Sequence, residues 1–262
     1  MTAADLLTIG SGSIVGLILG LVGGGGSILA VPLLVYVVGI PSVHAAIGTS
    51  AIAVAGSAAV NLVPHWRAGN VKWRCALVFA AAGVAGALAG SSIAKAVEGT
   101  QLLLLFGLLM VVVGLTMAFN RHGQGDADVQ LTGETAMRLL PRLAGIGFGV
   151  GALAGFFGIG GGFLIVPGLM LATGMPIRHA IGTSLVAVTA FGAATAANYA
   201  VSGYVDWRIA GLFVLGGLAG GIAGVGIGKL MSRSKNALRY AFAATVVGVG
   251  GWIVWHGLTA TG

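Results

Sequence analysis

The chain has 262 residues, of which 57% are hydrophobic and only 7% charged. A water-soluble domain carries about a quarter charged residues, so 13 Lys+Arg and 6 Asp+Glu cannot clothe a soluble surface of this size, and lipid must replace water around it. The net charge of +7 lies in short loops between apolar runs, with no basic run interleaved with aromatics. It therefore speaks for membrane orientation and against a nucleic-acid partner.

In chain order, the Met-Thr-Ala-Ala-Asp start has no basic n-region, so the first helix is expected to be retained rather than cleaved. Leu6–Val38 is too long for one straight span and is interrupted by Gly23–Gly26, which predicts two helices joined by a glycine break. Pro41 and Ser42 mark the next helix start, and Ala45–Val63, Cys75–Ala94 and Leu102–Phe119 follow as spans, the last with Thr100 as its predicted cap. Residues 120–141 form the long polar stretch, with Asp126, Asp128 and Glu134, and read as a cytoplasmic linker between a first membrane repeat, 1–119, and a second, 142–262. Arg142–Thr173 is a second glycine-interrupted region. Pro176 then marks a helix start, and Ala180–Val201, Ile209–Gly228 and Tyr240–Val254 are further spans, with Ser234 as a predicted cap before the last. The lone cysteine, Cys75, allows no internal disulfide.

The two halves repeat. Gly23-Gly24-Gly25-Gly26-Ser27-Ile28-Leu29-Ala30-Val31-Pro32 aligns with Gly158-Ile159-Gly160-Gly161-Gly162-Phe163-Leu164-Ile165-Val166-Pro167 at an offset of 135. After one lost residue, Gly48-Thr49-Ser50 matches Gly182-Thr183-Ser184 at 134, and Trp73-Arg74 matches Trp207-Arg208. Gly83, Gly86, Gly90 and Lys95 match Gly217, Gly220, Gly224 and Lys229. Shared apolar composition does not make Pro, Trp, Thr-Ser and Lys coincide.

Loop charges decide how the halves are oriented. If each glycine-broken region crosses once, the halves are parallel and the basic residues divide seven against six. If each returns as a hairpin, eleven fall on one side and only Lys95 and Arg208 on the other, a strong positive-inside bias. The expected fold is therefore all-α: a polytopic membrane protein of two inverted repeats, each of three spanning helices plus a glycine-broken helical hairpin. That makes about ten helices, against eight spans by simple hydropathy.

No acid sits mid-span, which removes a buried carboxylate relay and paired-carboxylate catalysis. The five histidines lack metal-ligand spacing, so neither an enzyme, a metal site nor a cofactor is expected. What remains is backbone and small hydroxyls. Helix N-termini expose unpaired N–H groups and partial positive charge, and glycine lets an ion approach them. Two such ends near mid-membrane would hold a small anion, which makes Gly24, Gly25, Gly26, Ser27, Gly160, Gly161 and Gly162 candidate substrate-binding residues; close helix packing is the competing role. Thr49, Ser50, Thr183 and Ser184 are candidates through their hydroxyls, which would donate to an oxyanion, to an unwound carbonyl or to their own helix. Asn61 and Asn198 either line a path or bond between helices.

The doubled pattern of glycine-rich run, Val-Pro, Gly-x-Pro, Gly-Thr-Ser and Gly-x-Val-x-Trp-Arg resembles the TauE/SafE sulfite exporter family, within the toluene-sulfonate uptake permease superfamily, over essentially the whole chain. Ile159, which interrupts the second glycine run, and Ser27, opposite Gly162, depart from exact symmetry between the halves. The resemblance implies a secondary transporter of sulfite, sulfonates or related organosulfur anions in the bacterial plasma membrane. A passive anion channel, a carrier of a non-sulfur organic anion and a non-transporting membrane subunit stand beside it. A coupling ion would be a proton, using His, the substrate or a water chain, or sodium, using unwound carbonyls.

Overall fold

A computed structural model describes residues 3–22, 24–119, 133–230 and 235–260. Among these residues all regular secondary structure is helical, joined by turns and short loops. The elements are α1 (Ala3–Val22), α2 (24–37), α3 (Val43–Arg67), α4 (Trp73–Ala94), α5 (Gly99–Phe119), α6 (Gly133–Phe157), α7 (Gly162–Thr173), α8 (Ile177–Val201), α9 (Trp207–Leu230) and α10 (Lys235–Ala260). Seven of them, α1, α3, α4, α5, α6, α8 and α9, contain an apolar stretch long enough to cross a membrane. The exposed Leu77, Leu108, Leu215 and Ile222 make an outer surface suited to lipid.

Local chemistry explains the boundaries. Ser42 sits at the expected start of α3, and its hydroxyl accepts from the Ala45 N–H at 3.3 Å. Pro176 precedes α8 in extended conformation, where a residue without an N–H leaves nothing unpaired. Thr100 does not cap its helix as predicted. The helix begins one residue earlier, and the Glu98 carbonyl already accepts from Leu102 N at 2.9 Å. Ser234 and residues 120–132 lie outside the described residues, and α6 starts at Gly133 inside the stretch expected as linker.

Both broken regions are paired helices, but the breaks differ. Residues 24–37 wind first as a 3₁₀ segment (Gly24–Leu29), then one α turn, then a wide π turn (Leu33–Val37). Pro32 has no N–H to donate within the helix, and beyond it the bonds widen, Val38 N reaching Leu33 O at 2.9 Å. In the second half, residues 158–161 form a distinct turn before α7.

The halves pack by exchange. Gly12 and Gly16 of α1 abut Phe213 and Gly217 of α9, while Gly147 and Gly151 of α6 abut Phe79 and Gly83 of α4. The positions rise together on both partners, so these pairs run parallel. They are also the same contact seen twice, since each residue of the first set maps onto the second by the repeat offset. The glycine ladders of α4 and α9 thus serve as packing faces. The equivalent helices α3 and α8 instead run antiparallel: Gly48 meets Tyr199 and the Tyr204 carbonyl, Gly192 meets Ala51 and Ala55, and Gly182 meets Asn70. In α5 and α10, Gly107 meets Gly250 and Leu104 meets Gly257, again antiparallel. The core lies where the short helices reach the α3–α8 pair, with Ile28, Leu34, Val54, Phe163, Leu169, Val188 and Phe191 buried there.

Candidate functional site

Among the described residues, the turn between α6 and α7 brings three left-handed glycines together. Gly158, Gly160 and Gly161 take φ of 66°, 60° and 68°, the left-handed region that a side chain disfavours by roughly 1–2 kcal/mol. Gly161 is the N-cap of α7, so the first N–H groups of that helix face the turn. Gly160 lies against Val54 and Val188, beside the midpoints of α3 and α8; a Cβ there would stand 2.8 Å from Val54 Cγ1. The Ser50 hydroxyl lies 3.1 Å from the Gly158 carbonyl and 2.9 Å from Ile47 O, so its one proton is shared between the unwound turn and its own helix.

The first-half break is packed about as closely as the second, where a Cβ on Gly158 would collide with Ile47 and one on Gly161 would lie 2.5 Å from Ala154. A Cβ on Gly26 would lie 2.5 Å from the α1 backbone at Leu19 N, so this glycine is required for contact between α1 and α2. Ser27 is fully buried, and Gly24 and Gly25 open the 3₁₀ segment. The two breaks approach each other, since α7 packs on the 3₁₀ segment. Gly162 begins α7 and is buried. The repeat partner of Gly158 is Gly23, which lies outside the described residues.

The structure does not gather all the candidates. Thr49 and Thr183 stand at opposite ends of the α3–α8 pair, where each hydroxyl accepts a loop N–H from the other half: Asp206 N to Thr49 at 3.1 Å and Lys72 N to Thr183 at 3.0 Å. Ser184 donates to Ile181 O of its own helix at 2.8 Å. Changing both Thr49 and Thr183 to Val keeps their volume but strands two N–H groups. This should lower stability by about 1 kcal/mol or more per site, read as a fall in the unfolding temperature of purified protein. Thr189→Val, which removes only a bond within its own helix, should shift it far less.

The two asparagines are also apart. Asn61 donates to Ser57 O of its own helix at 3.0 Å and lies over Gly221 of α9. Asn198 clasps α4 to α8: its Oδ1 accepts from Lys95 Nζ at 2.8 Å, and its Nδ2 donates to Ser91 Oγ at 2.6 Å and to Ser92 Oγ at 3.0 Å. Lys95 also reaches Ser202 Oγ at 2.8 Å, so its ammonium is held against the end of α8, where the helix dipole favours it. Sequence reasoning left out Thr195 and Tyr199, which are fully buried with hydroxyls lacking a hydrogen-bond partner. A signal existed: through the repeat, Thr195 faces Asn61 and Tyr199 faces His65, polar against polar.

Residues 8–253 match the family described as Sulfite exporter TauE/SafE. A probable membrane transporter protein of Xylella fastidiosa (strain 9a5c) is 49% identical over 257 residues, covering 98% of this chain and 97% of its own length. The probable membrane transporter protein YdhB of Bacillus subtilis is 26% identical, over 84% of this chain and 89% of its own. No solved structure matches significantly. With a match across both halves and seven apolar helices of spanning length, the chain belongs to the TauE/SafE sulfite exporter family and is a multi-pass bacterial membrane transporter.

Proposed function

We propose that the protein is a secondary transporter of small anions of the sulfite, sulfonate or related organosulfur class, built from two inverted repeats, 1–119 and 142–262, with Gly160, Gly161, Gly162 and the approaching break at Gly24, Gly25, Gly26 and Ser27 forming its site. The observation that carries this reading is the left-handed glycine turn at the start of α7, lodged between the centres of α3 and α8. An N-terminus placed there offers N–H groups and partial positive charge to an anion, without a fixed cation to hold it too tightly. Membership of a family described as sulfite exporters supports the substrate class.

Orientation has its own support. The equivalent pairs α3–α8 and α5–α10 run antiparallel, as halves related by an axis in the membrane plane would. The contacts that join helix ends put Arg67, Lys72, Arg74, Arg138, Arg142 and Arg178 at one end of the bundle and Lys95 and Arg208 at the other, with Arg208 paired to Asp5 at 2.9 Å. The basic end is then cytoplasmic. Because α3 and α8 each bond to a loop of the opposite half, a tilt of one half would open one end while closing the other. A coupling ion, proton or sodium, would ride on that exchange.

The close fit of Gly160 between Val54 and Val188 favours a carrier over an open channel. Purified protein in liposomes should take up sulfite with saturating kinetics, competed by sulfoacetate or thiosulfate. Flux that rises linearly with concentration would instead show a channel. No flux of any anion in a panel including taurine and simple carboxylates would end the anion reading.

A further inference from the structure

One stripe of α8 faces α4. Phe191 stacks on Phe79 at 6.1 Å and covers Gly83. One, two and three turns on, Thr195, Asn198 and Ser202 fall on the same face. Asn198 and Ser202 take the Lys95 ammonium at the end of α4, and Asn198 also donates to Ser91 and Ser92. With the Asn198 carbonyl at 3.4 Å, the three acceptors of Lys95 are all neutral, and among the described residues no carboxylate pairs with it. Lys95 and Asn198 are half-buried and Ser202 is exposed, so this clasp sits at the rim of the α4–α8 seam. Thr195, one turn deeper, is fully buried behind it. At its floor the seam reaches Phe79, whose ring would lie 3.5 Å from a Cβ on Gly168 of α7, the helix that carries the glycine turn.

The repeat does not reproduce the clasp. The equivalent stripe is Ser57, Asn61, Pro64 and Ala68 of α3, which faces α9 toward the basic end, with Ser57 over Gly217 and Asn61 over Gly221. Ser91 and Ser92 become Val225 and Gly226, so of the clasp only the lysine recurs, as Lys229. Proline and alanine offer no side chain to bond across a seam, and Asn61 donates along its own helix to Ser57 O. The Thr195 hydroxyl, sealed without a partner, costs free energy that water would return. It favours opening of the α4–α8 seam, and the clasp opposes it. We propose that the clasp of Lys95 and Asn198 is the latch of one gate: it holds α8 on α4 and closes the path at the end away from the basic loops. The equivalent seam lacks it, so the unloaded carrier rests open toward the basic end. This rests on the transport reading and gives the exchange a preferred resting side.

The test is alkylation of a Thr195→Cys reporter by a membrane-impermeant maleimide, in intact cells and in inverted vesicles, alongside sulfite flux in liposomes. Cys75→Ala removes the native thiol, which is buried. Glu98→Cys, exposed just beyond Lys95, marks which preparation presents that end. Asn198→Leu and Lys95→Met should each speed alkylation from that end about ten-fold, as the loss of one or two bonds across a two-state seam requires. Asn198→Asp gives the ammonium a carboxylate and leaves the serine hydroxyls free to donate, so it should slow both alkylation and flux. This variant strengthens the contact and decides the matter if the other two fold poorly. Thr189→Val, which removes a bond within α8, should change neither. Wild-type protein that moves no anion would sink the transport reading itself. Wild-type protein that transports, with alkylation unchanged by the clasp variants or sped equally from both ends, would overturn the latch alone.

Discussion

Leucine at Gly86 or at its counterpart Gly220 should sharply reduce the yield of monodisperse, folded protein in detergent, and both together should leave none. In the present packing a Cβ at Gly86 would collide with the Phe148 carbonyl, and one at Gly220 with the Ser13 carbonyl. These are backbone atoms on neighbouring helices, which cannot turn aside as the tip of a side chain can. Overpacking a close contact costs about 1–3 kcal/mol or more, and four leucine carbons force the helices apart along their length. Gly90 and Gly224 bear on Ala152 and Leu17 in the same way, so the separation would spread to the next turn of each ladder. Leucine at Gly10 or Gly145 is the control. Those glycines are repeat equivalents with nothing within 4 Å of an added Cβ, and the elution profile should stay near wild type. Aggregation of the Gly10 variant to the same degree would show that apolar bulk, not helix approach, is responsible.

Valine at Gly160 should cost both transport and stability. Its φ of 60° sets a backbone strain of roughly 1–2 kcal/mol for any side chain, more for a branched one. The added carbons would also press on Val54 and Val188 at the centre of the bundle. Gly174→Ala separates the two effects. Gly174 has a φ of 76° but open space around it, so alanine there adds strain without collision, and flux should largely survive. A Gly160→Val protein that moves sulfite at the wild-type rate would show that the turn is not where the anion binds.

Much of the architecture was legible because single residues mark it. Pro41, Ser42 and Pro176 announce helix starts by what their backbone and side chains can bond, and the paired Val-Pro and Gly-Thr-Ser segments expose the repeat. The uneven character of the two breaks was less legible: Gly24–Gly26 and Gly160–Gly162 look alike in sequence, yet the first winds into a 3₁₀ helix against α1 while the second turns sharply. Ile159 in the second run is the visible difference, and it is fully buried in the core. The hydroxyl partners were illegible for another reason. Thr49 meets Asp206 and Lys95 meets Asn198 because the halves exchange their outer helices, and such distant pairing leaves no periodic trace along the chain.

That exchange has a bearing on how the protein is made. Among the described residues, α1 finds its most extensive seat on the glycines of α9, and α4 on those of α6. During synthesis the leading segment must therefore be held in the lipid, its small-residue face unfilled, until most of the polypeptide has left the ribosome. An insertase or a neighbouring chain has that whole interval in which to shelter it. A gene cut between its halves would yield fragments that complete themselves only by finding each other.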